Sequence, residues 1–302
     1  MGYRNLKIEK YWDFSIKDKQ LVLKNDEKFS IPLEDINTIM IDDMSIKLSV
    51  YFLQIVAQYG IAVYVCNEKH IPNAVVLPML CHSRHFKMLK NQINIGKPFQ
   101  KRLWQQIVVR KILNQAKALE IAGKSKDSEE LKKMVKEVQS GDKTHVEAKA
   151  AAFYFRRLYG EYFSRGQEHI INSALNYGYA IIRGIIARSI ICYGFEPSIG
   201  LFHHSEQNSY NLADDIIEPF RSLVDIYVYQ NYDFSEMEKG LSVEMKRGLY
   251  NIINYNMKIN NEKQSVSNCV EKMIMSFSAC LAGNRKDLIL PELIPIEMHE
   301  YE

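Results

Sequence analysis

The period of the apolar positions changes part-way along the chain. Up to about residue 67 they fall in short β-branched runs separated by turn residues. Residues 20–23 form such a run, followed by the turn-forming group Lys24-Asn25-Asp26. FSIPL (29–33) and INTIMI (36–41) are strand-like and flanked by Asp and Pro. Residues 45–60 switch to helical spacing at Ile46, Val50, Leu53, Ile55 and Val56, opened by a serine and stopped by Gly60. IAVYVC (61–66) then reads as a buried strand. This predicts a small sheet domain carrying one helix. Pro72, Asn73 and Pro78 give residues 68–78 turn and loop character, the candidate linker region.

From about Arg84 the spacing is helical almost to the end. Residues 99–123 form a long amphipathic pattern closed by Gly123. Residues 125–141 are highly charged with few apolar positions, a solvated face. Further helices are expected over 144–158, 167–193, 215–229, 242–255 and 265–282. The tail, 288–302, is acidic and broken by proline, so it is expected to be extended or disordered. No internal repeat or low-complexity segment is evident. The predicted class is α+β: a small N-terminal β-rich domain (1–75), a linker (76–84) and a larger all-helical domain (85–302).

Composition narrows the picture. At 302 residues, 47% apolar and 25% charged, the chain has the profile of an ordinary soluble protein with room for two cores. A net charge of +3 is mild, so any DNA footprint must come from local clusters. The five cysteines, Cys66, Cys81, Cys192, Cys269 and Cys280, are widely spaced, with no CxxC. That fits a reducing cytoplasm and argues against a zinc cage or disulfide framework. The N-terminus has no signal-peptide pattern. The most apolar stretch, 180–195, is interrupted by Arg183 and Arg188 and is too short to span a membrane.

Three distant places supply metal-seeking side chains. Glu147 lies in THVEAKAAAFYF, where T-x-x-E is also a capping box, so it either folds back on Thr144 or points away as a ligand. His203 and His204 are adjacent in GLFHHSEQ; a loop histidine is a surface group or a ligand. Asp214, Asp215 and Glu218 in LADDIIEPFR would share one face of a helix, a repulsive arrangement unless a cation sits between them. Alternatively, Asp214 or Asp215 caps a helix that begins at Pro219. Arg221 can pair with Glu218 or contact a phosphate. Two carboxylates and an imidazole suit Mg²⁺ or Mn²⁺ better than structural zinc. No E-x-x-H, H-E-x-x-H, phosphate-binding glycine loop or nucleophile elbow occurs, so di-iron, zinc-protease, nucleotide-hydrolysis and serine-hydrolase readings have no support.

These motifs, in this order, resemble CRISPR-associated protein one, the integrase family of CRISPR adaptation. The resemblance is carried by Glu147-Ala148-Lys149-Ala150-Ala151-Ala152-Phe153-Tyr154-Phe155, by Asn172-Ser173-Ala174-Leu175-Asn176-Tyr177-Gly178-Tyr179, by Gly200-Leu201-Phe202-His203, and by LADDIIEPFR from Leu212 to Arg221. It looks most similar to the type II subtype, which works beside a single-protein RNA-guided nuclease. The resemblance implies that the helical domain is catalytic and that Glu147, His203 and Glu218 bind Mg²⁺ or Mn²⁺. It also implies auxiliary roles for His204, Asp215, Arg221, Tyr162, Asn176 and Tyr177, with His204 the alternative ligand to His203. The implied reaction is attack of a captured fragment's 3′-hydroxyl on a phosphodiester of the CRISPR repeat; with water as nucleophile, the same site is an endonuclease. Implied partners are double-stranded DNA, a second copy of the chain in a homodimer joined through the β-domain, a dimer of CRISPR-associated protein two, other type II adaptation proteins and the RNA-guided nuclease, in the bacterial cytoplasm without a membrane. Lys97, Lys101, Arg102, Arg110, Lys111, Arg156, Arg157 and Arg165 are candidate DNA contacts. Two other readings stay open: a nuclease of branched DNA that does not integrate, and a non-catalytic DNA-binding scaffold.

Overall fold

The structure, a computed structural model, describes residues 4–68, 72–79, 84–233 and 240–300. It divides into two compact units, Met1–Phe86 with Ile191–Phe195, and Lys87–Ile190 with Glu196–Glu302.

In the first unit the strands are β1 (Arg4–Ile8), β2 (Asp13–Lys17), β3 (Gln20–Lys24), β4 (Lys28–Pro32), β5 (Ile36–Ile41), β6 (Ala62–Cys66) and β7 (Pro72–Val76), with helix α1 (Val50–Gln58) between β5 and β6. β2, β3 and β4 make an antiparallel meander. Asp18 and Lys19 turn its first hairpin with φ of 50° and 60°, the left-handed backbone that matches strand twist at a two-residue turn. The second sheet runs β1-β5-β6-β7, with β1 and β6 both parallel to β5 and β7 antiparallel to β6. β5 is buried along its whole length, as an INTIMI run requires. Leu21, Leu23, Ile36, Ile39, Phe52, Val56 and Val63 close an apolar core there.

Two expectations shift in this unit. The helix starts at Val50, capped by Ser49, whose Oγ accepts from the Phe52 N–H at 3.1 Å. Ser45 is instead held in a turn by Asp43, through its N–H at 2.8 Å and its hydroxyl at 2.6 Å. Residues 72–76, read as loop from Pro72, Asn73 and the nearby Pro78, form β7; Pro72 is the first residue of an outer strand, where its missing N–H costs no ladder bond. Part of the expected linker, 80–83 with Cys81, lies outside the described residues. Cys66, Cys192, Cys269 and Cys280 are buried.

The second unit contains α2 (His85–Ile93), which begins at the unit boundary, then α3 (Lys97–Ile121), α4 (Ser125–Val135), α5 (Val146–Tyr159), α6 (Ile170–Cys192), α7 (Asn211–Ile216), α8 (Arg221–Asn231), α9 (Val243–Tyr250) and α10 (Val266–Leu281). α3 is the central element, starting with Pro98 in its first turn and packing against α4, α5, α7, α8 and the 3₁₀ turn Glu218–Phe220. Its buried Asn114 donates to the Pro219 and Pro291 carbonyls at 2.7 and 3.0 Å and accepts from the Leu293 N–H at 3.1 Å. One amide therefore ties α3 to both the 3₁₀ turn and the tail.

The second unit is not purely helical. β8 (Asn256–Ile259) and β9 (Glu262–Ser265) form a hairpin turned by Asn260 and Asn261 at φ of 53° and 66°. The tail is extended and ordered to residue 300, hydrogen-bonding Lys258 through Glu292 and Asn256 through Glu297, with Leu288 and Leu293 buried. No helix among the described residues is long and apolar enough to cross a membrane.

Candidate metal centre

α5 is started by Asp142, not by Thr144. The Asp142 carboxylate accepts the Val146 N–H at 3.0 Å and the Glu147 N–H at 3.1 Å, from a loop that bends through left-handed Gly141, Asp142 and His145. The T-x-x-E capping box is therefore not formed, and the Glu147 side chain is released from the helix end. It reaches α3, where its Oε1 pairs with the Lys111 ammonium. The same ammonium lies 2.5 Å from Glu218 Oε2. One cation thus bridges two of the three expected ligands, brought from helices far apart in sequence.

Glu218 is buried and takes Arg221 Nε on its other oxygen at 2.9 Å. Burial works to raise its pKa, but Arg221 and Lys111 overcome that and bring it down to about 2. Burial would lower the Lys111 pKa; Glu218 and Glu147 outweigh it and hold the ammonium raised. Arg221 lies over the Tyr179 ring, 4.6 Å from its centre.

Asp215 is fully buried and organises the 200–203 loop. It accepts the N–H groups of Leu201, Phe202 and His203 at 2.5, 3.0 and 3.2 Å. It also faces His203 Nδ1 at 2.7 Å. A carboxylate can only accept here, so Nδ1 carries the proton and Nε2 keeps its lone pair in the neutral ring. The hydrogen bond to Asp215 raises the His203 pKa against burial, with Glu218 adding to the effect. Gly200 is required by this cradle: a Cβ there would stand 2.4 Å from the His203 carbonyl and 2.7 Å from Asp215 Oδ2. His204 is exposed in the same loop. The Asp215 contact separates the two histidines.

Asp214, Asp215 and Glu218 do not share one cation. Asp214 turns to Arg183, at 2.6 and 3.0 Å, and to Asn208; Asp215 serves His203; Glu218 serves Lys111 and Arg221. The repulsion expected along a shared face is relieved by a separate partner for each. Asp214 and Asp215 lie inside α7, whose start has no side-chain cap, and neither caps Pro219.

The Asn-Tyr-Gly-Tyr motif acquires a physical reason. Asn172 Nδ2 holds the Ser164 and Gln167 carbonyls, each at 2.8 Å, and Asn176 accepts from Arg165 at 2.6 Å. Gly178 lets α6 meet α8, since a Cβ would reach 2.5 Å from Val224 Cγ1. The Tyr179 hydroxyl donates to the buried carboxyl of Asp225. Tyr177 is buried, whereas Tyr162 is almost fully exposed. Arg110 pairs with Glu292, and Arg157 with Asp127; Lys97, Lys101, Arg102 and Arg156 are exposed. A pocket of about 210 Å³ beside Glu218 is lined by Lys111, Gln115, Arg165, Tyr179, Arg221 and Asp225 among others. Of these, Gln115 and Asp225 lie in no motif read from the sequence, and Tyr179 closes the Asn-Tyr-Gly-Tyr motif without a role assigned there. Burial pushes Asp225 up to about 6, against the Tyr179 hydrogen bond.

Among the described residues, no three His, Cys, Asp or Glu side chains stand close enough to hold a metal ion as placed. The donor set nevertheless fits a hard divalent cation. Glu147 and Glu218 already converge on a positive charge, and a carboxylate-backed histidine feels Glu218.

The sequence profile of the family described as CRISPR associated protein Cas1 matches residues 9–240. The chain belongs to the Cas1 family. It is 38% identical over 304 residues to the CRISPR-associated endonuclease Cas1 of Neisseria meningitidis serogroup C (strain 8013), with 100% of each chain covered. Its fold is shared with a casposase bound to integration product, at a TM-score of 0.72 and 17% identity, over 94% of this chain and 92% of that one. It is also shared with a chain of a partial Cas6-RT-Cas1--Cas2 complex, at a TM-score of 0.67 and 18% identity, over 97% and 100%. The α+β architecture, a β-rich unit followed by a mainly helical one, is that of these Cas1 folds.

Proposed function

We propose that this protein is a metal-dependent DNA integrase and endonuclease of CRISPR adaptation, in which Glu147, Glu218 and His203 Nε2 hold Mg²⁺ or Mn²⁺. The observation that carries the reading is the pairing of His203 Nδ1 with buried Asp215 at 2.7 Å, in a ring that feels Glu218, one of two carboxylates gathered on one cation. Bound there, the divalent ion supplies polarisation of the target phosphate and charge stabilisation on the entering and leaving oxygens.

The chain's own groups do the rest. Asp215 fixes the His203 tautomer and ring orientation. Arg221 stays charged, its pKa raised by Glu218 against burial, and stands beside the site to face a phosphate. Exposed Lys97, Lys101, Arg102 and Arg156 follow the DNA backbone, and Tyr162 offers an open ring to a base. In strand transfer one phosphorus–oxygen bond forms as another breaks, so no energy source is required. The captured fragment and the CRISPR repeat are the two DNA substrates.

Full-length likeness to the Neisseria protein supports the type II subtype, and the structural neighbours, one a Cas1--Cas2 complex and one a casposase bound to integration product, support Cas2, proposed as a dimer, and DNA as partners. A homodimer, other type II adaptation proteins and the RNA-guided nuclease complete the proposed assembly, working in the bacterial cytoplasm.

The test is Mn²⁺-dependent joining of a 3′-hydroxyl oligonucleotide to repeat DNA. Glu147→Gln, His203→Gln and Glu218→Gln are each expected to abolish joining while DNA binding and dimerisation persist. Unchanged joining would make the protein a scaffold. Cleavage of branched DNA without any joining in the unsubstituted protein would make it a nuclease only.

A further inference from the structure

Lys111 presents a problem for the metal reading, and the pocket next to it holds an answer. Its ammonium occupies the space between Glu147 Oε1 and Glu218 Oε2 that a divalent ion would take. Two like cations cannot share it. The ammonium is buried and charged, so it must move to another set of acceptors when a metal enters.

Such acceptors line the adjoining pocket, together with Lys111 itself. Gln115 Oε1 and Asp225 are buried, in residues 2% and 1% exposed; Gln115 Oε1 receives no hydrogen bond, and the Asp225 carboxyl takes its hydrogen bonds from the Tyr179 and Tyr154 hydroxyls. An orphaned buried acceptor is costly, and one lining a pocket beside a buried carboxyl calls for a donor. Gln115 lies one turn beyond Lys111 on α3, and side chains lean toward a helix's N-terminus, so its amide leans back toward the lysine. The four-carbon stem of lysine gives the reach, and its three donors suit a pair of acceptors.

We propose that Lys111 is a counter-ion of Glu147 and Glu218 that a divalent metal displaces into the pocket formed by Gln115 and Asp225. In the metal-free protein it keeps Glu147 and Glu218 from repelling each other. In the loaded protein it is a positioning residue, held by Asp225 on the substrate side of Glu218. This rests on the metal reading of the same carboxylates.

The experiment is Mn²⁺ binding to the full-length protein by calorimetry, with thermal unfolding as the control for folding. Lys111→Met removes the competitor and is expected to tighten Mn²⁺ binding about tenfold. Asp225→Asn removes the receiving charge and is expected to weaken it about fivefold when Lys111 is present, but less than twofold when Lys111 is Met, a coupling typical of residues in contact. Gln115→Leu is expected to follow Asp225→Asn and reports even where Lys111→Met does not fold. Equal effects of Asp225→Asn in both backgrounds, or Mn²⁺ binding unaffected by Lys111→Met and Gln115→Leu, would overturn the displacement. Loss of Mn²⁺ binding in Glu147→Gln together with either of those results sinks the displacement alone. Binding that Glu147→Gln and Glu218→Gln leave untouched sinks the metal reading itself.

Discussion

The cluster beneath the N-terminal strands and the pocket beside Glu218 are both buried, but they are built from opposite materials. The first is apolar throughout, from Leu21 and Ile39 to Phe52 and Val56. The second gathers Lys111, Glu218, Arg221 and Asp225. Burying apolar area stabilises in proportion to the area removed from water. Burying charge stabilises little even when it is paired, and strongly destabilises when one partner is lost. The sheet core is thus accounted for by folding alone, whereas the charged pocket is not, and a cluster of shifted titratable groups in a cleft is where chemistry is expected.

The largest effects should separate these two materials. Glu218→Ala leaves buried Lys111 and half-buried Arg221 with one partner fewer and should cost about 3–5 kcal/mol, together with Mn²⁺ binding. Phe52→Ala should cost a similar 3–5 kcal/mol by opening a cavity in the sheet core, with Mn²⁺ affinity of the folded protein unchanged. Urea unfolding and metal titration of both variants check the contrast. Loss of metal affinity in Phe52→Ala would break it.

A smaller effect sharpens the contrast within the pocket. Glu218 and Asp225 are both buried acids, yet two cations hold Glu218 at about 2 and burial carries Asp225 to about 6. Asp225 in the folded protein keeps its proton more tightly than in the unfolded chain. Its contribution is complete below about pH 4 and lost as pH rises through 6, worth about 3 kcal/mol. Glu218 runs the other way, losing its contribution only as pH falls from about 4.5 toward 2. Asp225→Asn should therefore flatten the fall in stability between pH 4 and 7. Parallel pH profiles for the two proteins would contradict this.

Smallest is the cap. Asp142→Ala removes the acceptor for two N–H groups of α5 and should cost about 1 kcal/mol, measured by thermal unfolding. Thr144→Ala should cost close to nothing, since the capping box is not formed. The reverse order would restore Thr144 as the cap.

Much of this architecture is visible in the residues, and the exceptions have physical reasons. β5, α3 and α10 follow strong periodicity and lie close to where their patterns place them. The β8–β9 hairpin escapes because NMKINNEKQS has few apolar residues; only its Asn260-Asn261 pair marks a turn. β7 is disguised by Pro72 and Asn73 at its start and by Pro78 just beyond it. The ordered tail depends on Asn114 and Lys258, which no local pattern connects to it. At the site, Glu147, His203 and Glu218 are reached through motif resemblance, while their supports are spatial. Lys111 reads as a DNA-facing lysine because nothing local links it to Glu147 and Glu218 on other elements, and Asp225 is a single charged residue in the apolar middle of α8, Leu223 to Val228. The capping box competes convincingly in sequence because Asp142, two residues before Thr144, does the same work from a left-handed turn that composition does not announce.

The metal assignment is reached most directly by pulsed electron paramagnetic resonance of bound Mn²⁺. The arrangement of His203 on Asp215 predicts ¹⁴N modulation from one imidazole in the unsubstituted protein, lost in His203→Gln and retained in His204→Gln. Mn²⁺ bound without nitrogen coupling, or coupling that disappears with His204 instead, would contradict a centre made by Glu147, His203 and Glu218.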